Sequence, residues 1–168
     1  MTAWKLAPLS AEHERSTFNC GQLSLDEFLS KFALQNQRKN IGRTFVALYP
    51  ESNRIAGYYT VVSGSISYET LPFQFQKGLP RYPIPILHLG RLAVDSGAKG
   101  KGLGETLLMD ALRRARRLAE AEIGICGVEV FALDDSAKAF YLKYGFVALV
   151  DGGKHLYLPM KTIQQTLQ

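Results

Sequence analysis

Cysteine is scarce: 168 residues contain two, Cys20 and Cys126, far apart in the chain. That pattern reads as two thiols rather than a disulfide framework and makes the cytoplasm the default location. Long apolar runs are missing, none approaching the roughly 20 residues of a membrane span. The first residues, Met1-Thr-Ala-Trp-Lys-Leu, lack a charged leader with an apolar core behind it, so no secretory signal is expected. Repeats, linkers and composition breaks are also missing. With 46% hydrophobic and 21% charged residues, the chain is expected to form a single domain over 1–168 with a substantial core.

Acidic residues are in the minority, leaving a net charge of +5. Most of the excess lies in 99–117, where Lys99, Lys101, Arg113, Arg114, Arg116 and Arg117 face only Glu105 and Asp110. A local basic excess suits a polyanionic partner, a phosphorylated cofactor or a nucleic acid. Lys31, Arg38, Lys39 and Arg43 form a second basic group. For both groups a solvated surface, with helix-dipole complementarity in the second, competes with contact to RNA phosphates.

Trp4–Leu9 alternates like a short strand ended near Pro8. Phe18-Asn-Cys-Gly21 is a turn. Ser24 with Glu27 has the spacing of a capping box, and Leu25, Phe28, Leu29 and Phe32 predict an amphipathic helix over 25–36. Strands are expected at 43–49 and 55–63, joined as a hairpin, with an irregular proline-rich stretch over 65–85. Ile86–Val94 reads as a buried central strand. A long helix is expected over 102–122, with Leu103, Leu107, Ala111, Ala115 and Leu118 inward. A strand at 127–133 leads to Asp134-Asp135-Ser136, which caps a short helix ending at Gly145. Two strands flank the turn 151–154, and 162–168 reads as a polar tail. The order is that of a mixed α/β fold.

The stretch that organises the chain is Leu92-Ala-Val-Asp, then Lys99-Gly-Lys-Gly-Leu-Gly104 and an apolar helix. A strand, a glycine-rich loop and a helix start make an anion site, because glycines admit a ligand close to the backbone and the first helical amides point at it. No Lys-Ser/Thr follows the last glycine, so this is not a Walker A loop. The spacing Gly100-x-Gly102-x-Gly104 also differs from the dinucleotide G-x-G-x-x-G. The ligand expected here is the pyrophosphate of a cofactor.

These residues resemble the acetyl-CoA signature of the GNAT N-acetyltransferase superfamily, with Lys99 where Gln or Arg is usual and Gly102 and Gly104 matching. Ser136-Ala-Lys-Ala-Phe-Tyr141-Leu-Lys-Tyr-Gly145-Phe146 resembles the second family motif, a tyrosine-bearing helix followed by Gly-Phe. Phe18-Asn-Cys-Gly21, Leu25-Asp-Glu-Phe-Leu29, Ala33, Gln35 and Arg43-Thr-Phe-Val resemble the GNAT toxins of toxin–antitoxin modules, which acetylate the α-amino group of aminoacyl-tRNA.

The resemblance implies a central mixed sheet with a splayed strand at the acetyl-CoA site and helices on both faces. It implies acetyl-CoA as co-substrate and no metal. Leu92, Ala93 and Val94 would pair with the pantetheine arm; the amides of Lys101, Gly102, Leu103 and Gly104 would hold the pyrophosphate, with Lys99, Gly100 and Ser136 also in the cofactor site. Tyr141 would protonate the departing thiolate, and a backbone amide near Leu92 would polarise the thioester carbonyl. An α-amine titrates at about 7.7–8.0 in model peptides and lower when its carboxyl is esterified, so a strong base is not essential. Tyr144 is the other tyrosine on the helix. His88 and His155 are bases in a different scheme, and Cys126 is a nucleophile only if a base stands beside it. The implied partners are aminoacyl-tRNA, a ribbon-helix-helix antitoxin and a second copy of the chain. Acetylation of a small amine or a protein N-terminus, and a non-catalytic CoA- or RNA-binding module, are the competing functions.

Overall fold

The computed structural model describes residues 4–167. The start of the N-terminal reading at Met1–Ala3 and the end of the polar tail at Gln168 lie outside them. Among the described residues seven strands form a sheet in the order β1-β2-β3-β4-β5-β7-β6. They are β1 (Lys5–Pro8), β2 (Arg43–Leu48), β3 (Ile55–Ile66), β4 (Ile84–Val94), β5 (Gly127–Phe131), β6 (Val147–Ala148) and β7 (His155–Pro159). Among the described residues two groups are each compact: 4–62 with 89–111, and 63–88 with 112–167.

In the first unit β1, β2 and β3 form an antiparallel meander, with Leu6 opposite Ala47 and Thr44 opposite Thr60. Helix α1 runs through Leu23–Glu27, a π-helical turn over Phe28–Phe32, and Ala33–Arg38. It buries Phe28, Leu29 and Ala33 against Val46, Leu48, Ile55 and Tyr58. The π turn explains a departure from the expected stripe. The Ala33 amide bonds the Phe28 carbonyl, five residues back. That inserts one residue into the helical repeat, so Ala33 takes the buried position and Phe32 is 46% exposed. The capping box is not formed either. Gln22 is the N-cap, without a side-chain bond, and Ser24 lies inside the first turn.

Helix α3 (Leu103–Ala121) buries Leu103, Leu107, Leu108, Ala111, Leu112 and Ala115, close to the expected stripe. Its first turns lie so close to β3 that a Cβ on Gly57 would stand 2.9 Å from Leu107 and 3.0 Å from Leu103. Glycine at 57 is therefore a packing requirement.

In the second unit β5 and β7 are antiparallel, with Glu129 opposite Tyr157 and Phe131 opposite His155. β6 spans only two residues of the expected strand 146–150. The stretch 65–85 contains a short turn of 3₁₀ helix at Tyr68–Thr70 and α2 (Phe73–Gln76). Helix α4 is Asp135–Lys143. The polar tail is a helix, α5 (Met160–Thr166), because Met160 and Ile163, three apart, are both buried.

Candidate active site

In the first unit, β4 delivers the chain to Asp95, a turn of 3₁₀ helix at Ser96–Ala98, and the glycine loop. Ala93 is buried, whereas Leu92 and Val94 are half-buried. Lys99, Gly100, Lys101 and Gly102 are exposed. Gly100 and Gly102 have φ of +77° and +79°, a backbone that other residues avoid, and a Cβ on either would meet nothing within 4 Å. The loop therefore presents bare backbone to open space. Leu103 and Gly104 then open a helix of 19 residues, whose first amides and dipole favour an anion. Thr106 bonds back to the Gly102 carbonyl through its amide and its hydroxyl. This shape and polarity fit a pyrophosphate.

The loop is anchored on its other side. Asp95 is buried and splits its carboxylate: Oδ1 accepts the Asn19 amide at 2.9 Å and Oδ2 accepts the Tyr49 hydroxyl. Burial and that bond push the Tyr49 hydroxyl up to about 12, so it stays a donor. Ser96 donates its amide and its Oγ to the Asn19 carbonyl, and Lys99 Nζ donates to the Cys20 carbonyl at 2.7 Å. The Phe18-Asn-Cys-Gly21 turn is thus bound to the glycine loop.

A pocket of about 70 Å³ in the same unit is lined by Phe28, Ala33, Asn36, Ile41, Gly42, Thr44, Thr60, Val62 and Arg91. The Arg91 guanidinium lies 3.6 Å from the Phe28 ring centroid, a close cation–π contact. Neither Asp95 as an anchor nor Arg91 over Phe28 followed from the sequence reading. Both residues stand in the motif stretch, but their partners are 46 to 76 residues away, where no spacing rule reaches.

In the second unit Asp134, extended, caps α4 by accepting the Ala137 amide at 2.8 Å. Ser136 sits exposed in the first turn of α4. Tyr141 is 7% exposed, packed edge-on against Phe140 and Phe146 at 5.3 Å from each ring. Burial raises its hydroxyl well above the usual tyrosine range, so it carries its proton at neutral pH. Gly145, at φ +97°, ends the helix as expected of a C′ residue. Tyr144 is half-buried and lies against Phe140.

The same unit holds a polar cluster on the face of β4, β5 and β7. Glu129 Oε1 meets His88 Nδ1 at 2.8 Å, and Glu129 Oε2 meets His155 Nε2. His155 Nδ1 faces Asp151 at 2.9 Å, and the Phe131 ring stacks on His155 at 4.0 Å. Burial opposes ionisation of Glu129, but the bonds from the two histidines outweigh it and hold the carboxyl below its ordinary value. His155 thus lies between two carboxylates, and His88 spends Nδ1 on Glu129.

Cys126 stands without a base beside it among the described residues, and burial raises its thiol; burial, with Asp26 next, pushes Cys20 up to about 11. Neither thiol is a thiolate at neutral pH. Among the described residues no group of three or more ligating side chains is disposed to hold a metal.

The basic residues fall into two sets. Lys31, Arg38, Lys39 and Arg43 are exposed in the first unit, with Lys31 3.9 Å from Glu27 and Arg43 bonded to Asn40. In the second unit Arg113 and Arg117 are exposed and Arg114 half-buried, while Arg116 donates to the Leu167 carbonyl at 3.3 Å.

Residues 40–148 match the acetyltransferase (GNAT) domain family. A tRNA-acetylating toxin of Mycobacterium tuberculosis is 37% identical over 153 residues, covering 91% of this chain and 90% of that protein. The structure of AtaT complexed with acetyl-methionyl-tRNAfMet superposes with a TM-score of 0.91 at 30% identity, covering 99% of this chain and 100% of that one. A tyrosine-to-phenylalanine mutant of AtaT, bound to the C-terminus of the antitoxin AtaR and acetyl-CoA, gives a TM-score of 0.85 at 27% identity, with 98% of each chain covered. With the strand–glycine loop–helix in place and the family match spanning well over half of the sequence, the chain belongs to the GNAT acetyltransferase family.

Proposed function

We infer that the protein is the toxin of a toxin–antitoxin module, transferring acetyl from acetyl-CoA to the α-amino group of aminoacyl-tRNA and so blocking translation. The observation that carries this reading is the likeness to tRNA-acetylating toxins along nearly the whole chain, including the N-terminal third, where the Phe18–Gly21 turn and α1 lie. The reaction joins the neutral amine nitrogen to the acetyl carbon and breaks the carbon–sulfur bond; the proton that nitrogen loses balances the one that sulfur takes up, leaving the amide and free CoA thiol.

Acetyl-CoA supplies an activated acyl group on a thiolate leaving group. The backbone amides of Lys101 to Gly104, with the positive end of α3, hold the pyrophosphate. Edge groups of Leu92, Ala93 and Val94 align the pantetheine arm, and an amide near Leu92 polarises the thioester carbonyl. Ser136 lines the cofactor site from α4. Tyr141 Oη gives its proton to the departing sulfur; its buried hydroxyl is protonated until then. The acceptor amine attacks in its neutral form. The two basic sets, Lys31, Arg38, Lys39 and Arg43 with Arg113, Arg114, Arg116 and Arg117, face tRNA phosphates. A ribbon-helix-helix antitoxin keeps the toxin silent, and the working form is a homodimer of one-domain chains in the cytoplasm, where charged tRNA is found.

Incubation with labelled acetyl-CoA and total charged tRNA tests the reading. Label should appear on aminoacyl-tRNA. Label on protein N-termini or small amines instead, or binding of acetyl-CoA without any transfer, overturns it.

A further inference from the structure

We propose that Lys99 is a positioning residue for the acceptor side, tying the Asn19–Gly21 turn and helix α1 to the cofactor loop, rather than a ligand of the CoA pyrophosphate. The proposal rests on the acetyltransferase reading above and concerns the division of labour within that site.

The turn is a bridge with both ends used. Toward the cofactor loop, the Asn19 amide goes to Asp95 Oδ1, the Asn19 carbonyl takes two bonds from Ser96, and the Cys20 carbonyl takes the Lys99 ammonium. Toward α1, the Cys20 amide donates to Asp26 Oδ1 at 2.9 Å. Two residues beyond Asp26, Phe28 lies beneath Arg91 and lines the pocket of this unit. The path from glycine loop to pocket is therefore five bonds and one short helical step.

Lys99 is placed for this bond by the shape of the turn. Gly21 has φ of +91°, and a Cβ there would stand 3.7 Å from Lys99 Nζ. Asn19 Oδ1 accepts the Gly21 amide at 3.0 Å, which folds the turn so that the Cys20 carbonyl faces the loop. A charged donor on a backbone carbonyl is one of the stronger hydrogen bonds available to a side chain. The pyrophosphate needs no ammonium here, since the bare amides and dipole of the loop already supply an anion site.

The test compares the wild-type protein with Lys99→Met in two measurements: the Kd of acetyl-CoA by calorimetry, and the steady-state KM and kcat for charged tRNA. A tether predicts an acetyl-CoA Kd within twofold of wild type and an acceptor KM raised about tenfold, the expected loss for one charge-assisted bond. Ser96→Ala, which deletes one of the two bonds to the Asn19 carbonyl, moves the acceptor KM in the same direction by less and leaves the acetyl-CoA Kd alone. A tenfold or greater weakening of acetyl-CoA binding in Lys99→Met, alone or with a change in acceptor KM, overturns the proposal, as does an unchanged acceptor KM. Failure of the functional reading is distinct: the wild type then transfers nothing to tRNA. Amide hydrogen exchange over residues 20–28, faster in Lys99→Met if the tether exists and unchanged if it does not, then decides.

Discussion

The two units hold their functional groups by different means. In the first, the glycine loop is set by the backbone. Asp95, Ser96 and Lys99 all bond to main-chain groups of Asn19 and Cys20, and the helix start follows directly. In the second, Tyr141 is held by apolar rings, and the charged groups on the face of β4, β5 and β7 satisfy one another side chain to side chain, as His88, Glu129, His155 and Asp151 do. A backbone-built site tolerates exchange of side chains but not of glycines. A side-chain cluster tolerates neither loss of a member nor a change of protonation.

The sharpest contrast lies in Tyr141→Phe. Acetyl transfer should fall about a hundred- to ten-thousandfold, the usual worth of a general acid, while acetyl-CoA affinity stays within twofold. Single-turnover rates and calorimetry read the two quantities. Equal loss of affinity would mean that the tyrosine serves binding, and the division between the units would break.

The next effect in size is on stability. Replacing Glu129 with Gln should cost about 3 kcal/mol at pH 7, because two histidines lose the carboxylate that pairs them. The pH dependence has a definite sign. Glu129 has a folded-state pKa below its unfolded one, so its contribution is complete above the unfolded value and is lost as pH falls through the folded one. Denaturant titrations should therefore show the difference between wild type and Glu129→Gln shrinking as the solution is acidified below about pH 4.3. A difference that grows on acidification would show that the carboxyl is not held ionised.

Gly57→Ala in the first unit should cost roughly 1–3 kcal/mol, since its Cβ would press on Leu103 and Leu107 at the start of α3. A thermal melt lowered by several degrees, with weaker acetyl-CoA binding, would tie helix packing to the loop. The smallest effect should be Gly102→Ala. Its Cβ has open space and its φ is +79°, so the strain is about 1 kcal/mol. Here acetyl-CoA affinity should drop more than stability does, because the methyl occupies the face that the loop offers to the ligand. A variant with unaltered affinity would remove Gly102 from the cofactor site.

Much of the fold was legible beforehand. Strands β2, β3 and β4 and helix α3 follow their hydrophobic patterns, with ends displaced by a few residues, and the glycine loop and the tyrosine helix are consecutive stretches with their own local physics. The misses were also local in form but tertiary in cause. Phe32 fits a helical stripe and is exposed because a π turn shifts the repeat. Ser24 has the spacing of a cap, but the chain enters α1 at Gln22, with Asp26 bonded to the turn before it. The tail over 162–168 looks polar by composition, yet Met160–Thr166 is helical because two residues, Met160 and Ile163, find a core.

The order of elements, the glycine loop, the capped tyrosine helix and the basic excess are thus properties of the sequence alone, since each depends on neighbours within about one helical turn or one strand. The partners of Lys99 and Asp95, the stacking of Arg91 on Phe28 and the Glu129 cluster were decided only by tertiary structure. Apart from His155 and Asp151, four residues apart, their members are separated by tens of residues, and only the strand register and the packing of α1 bring the hydrogen-bonded atoms within 3 Å and Arg91 to 3.6 Å from the Phe28 ring.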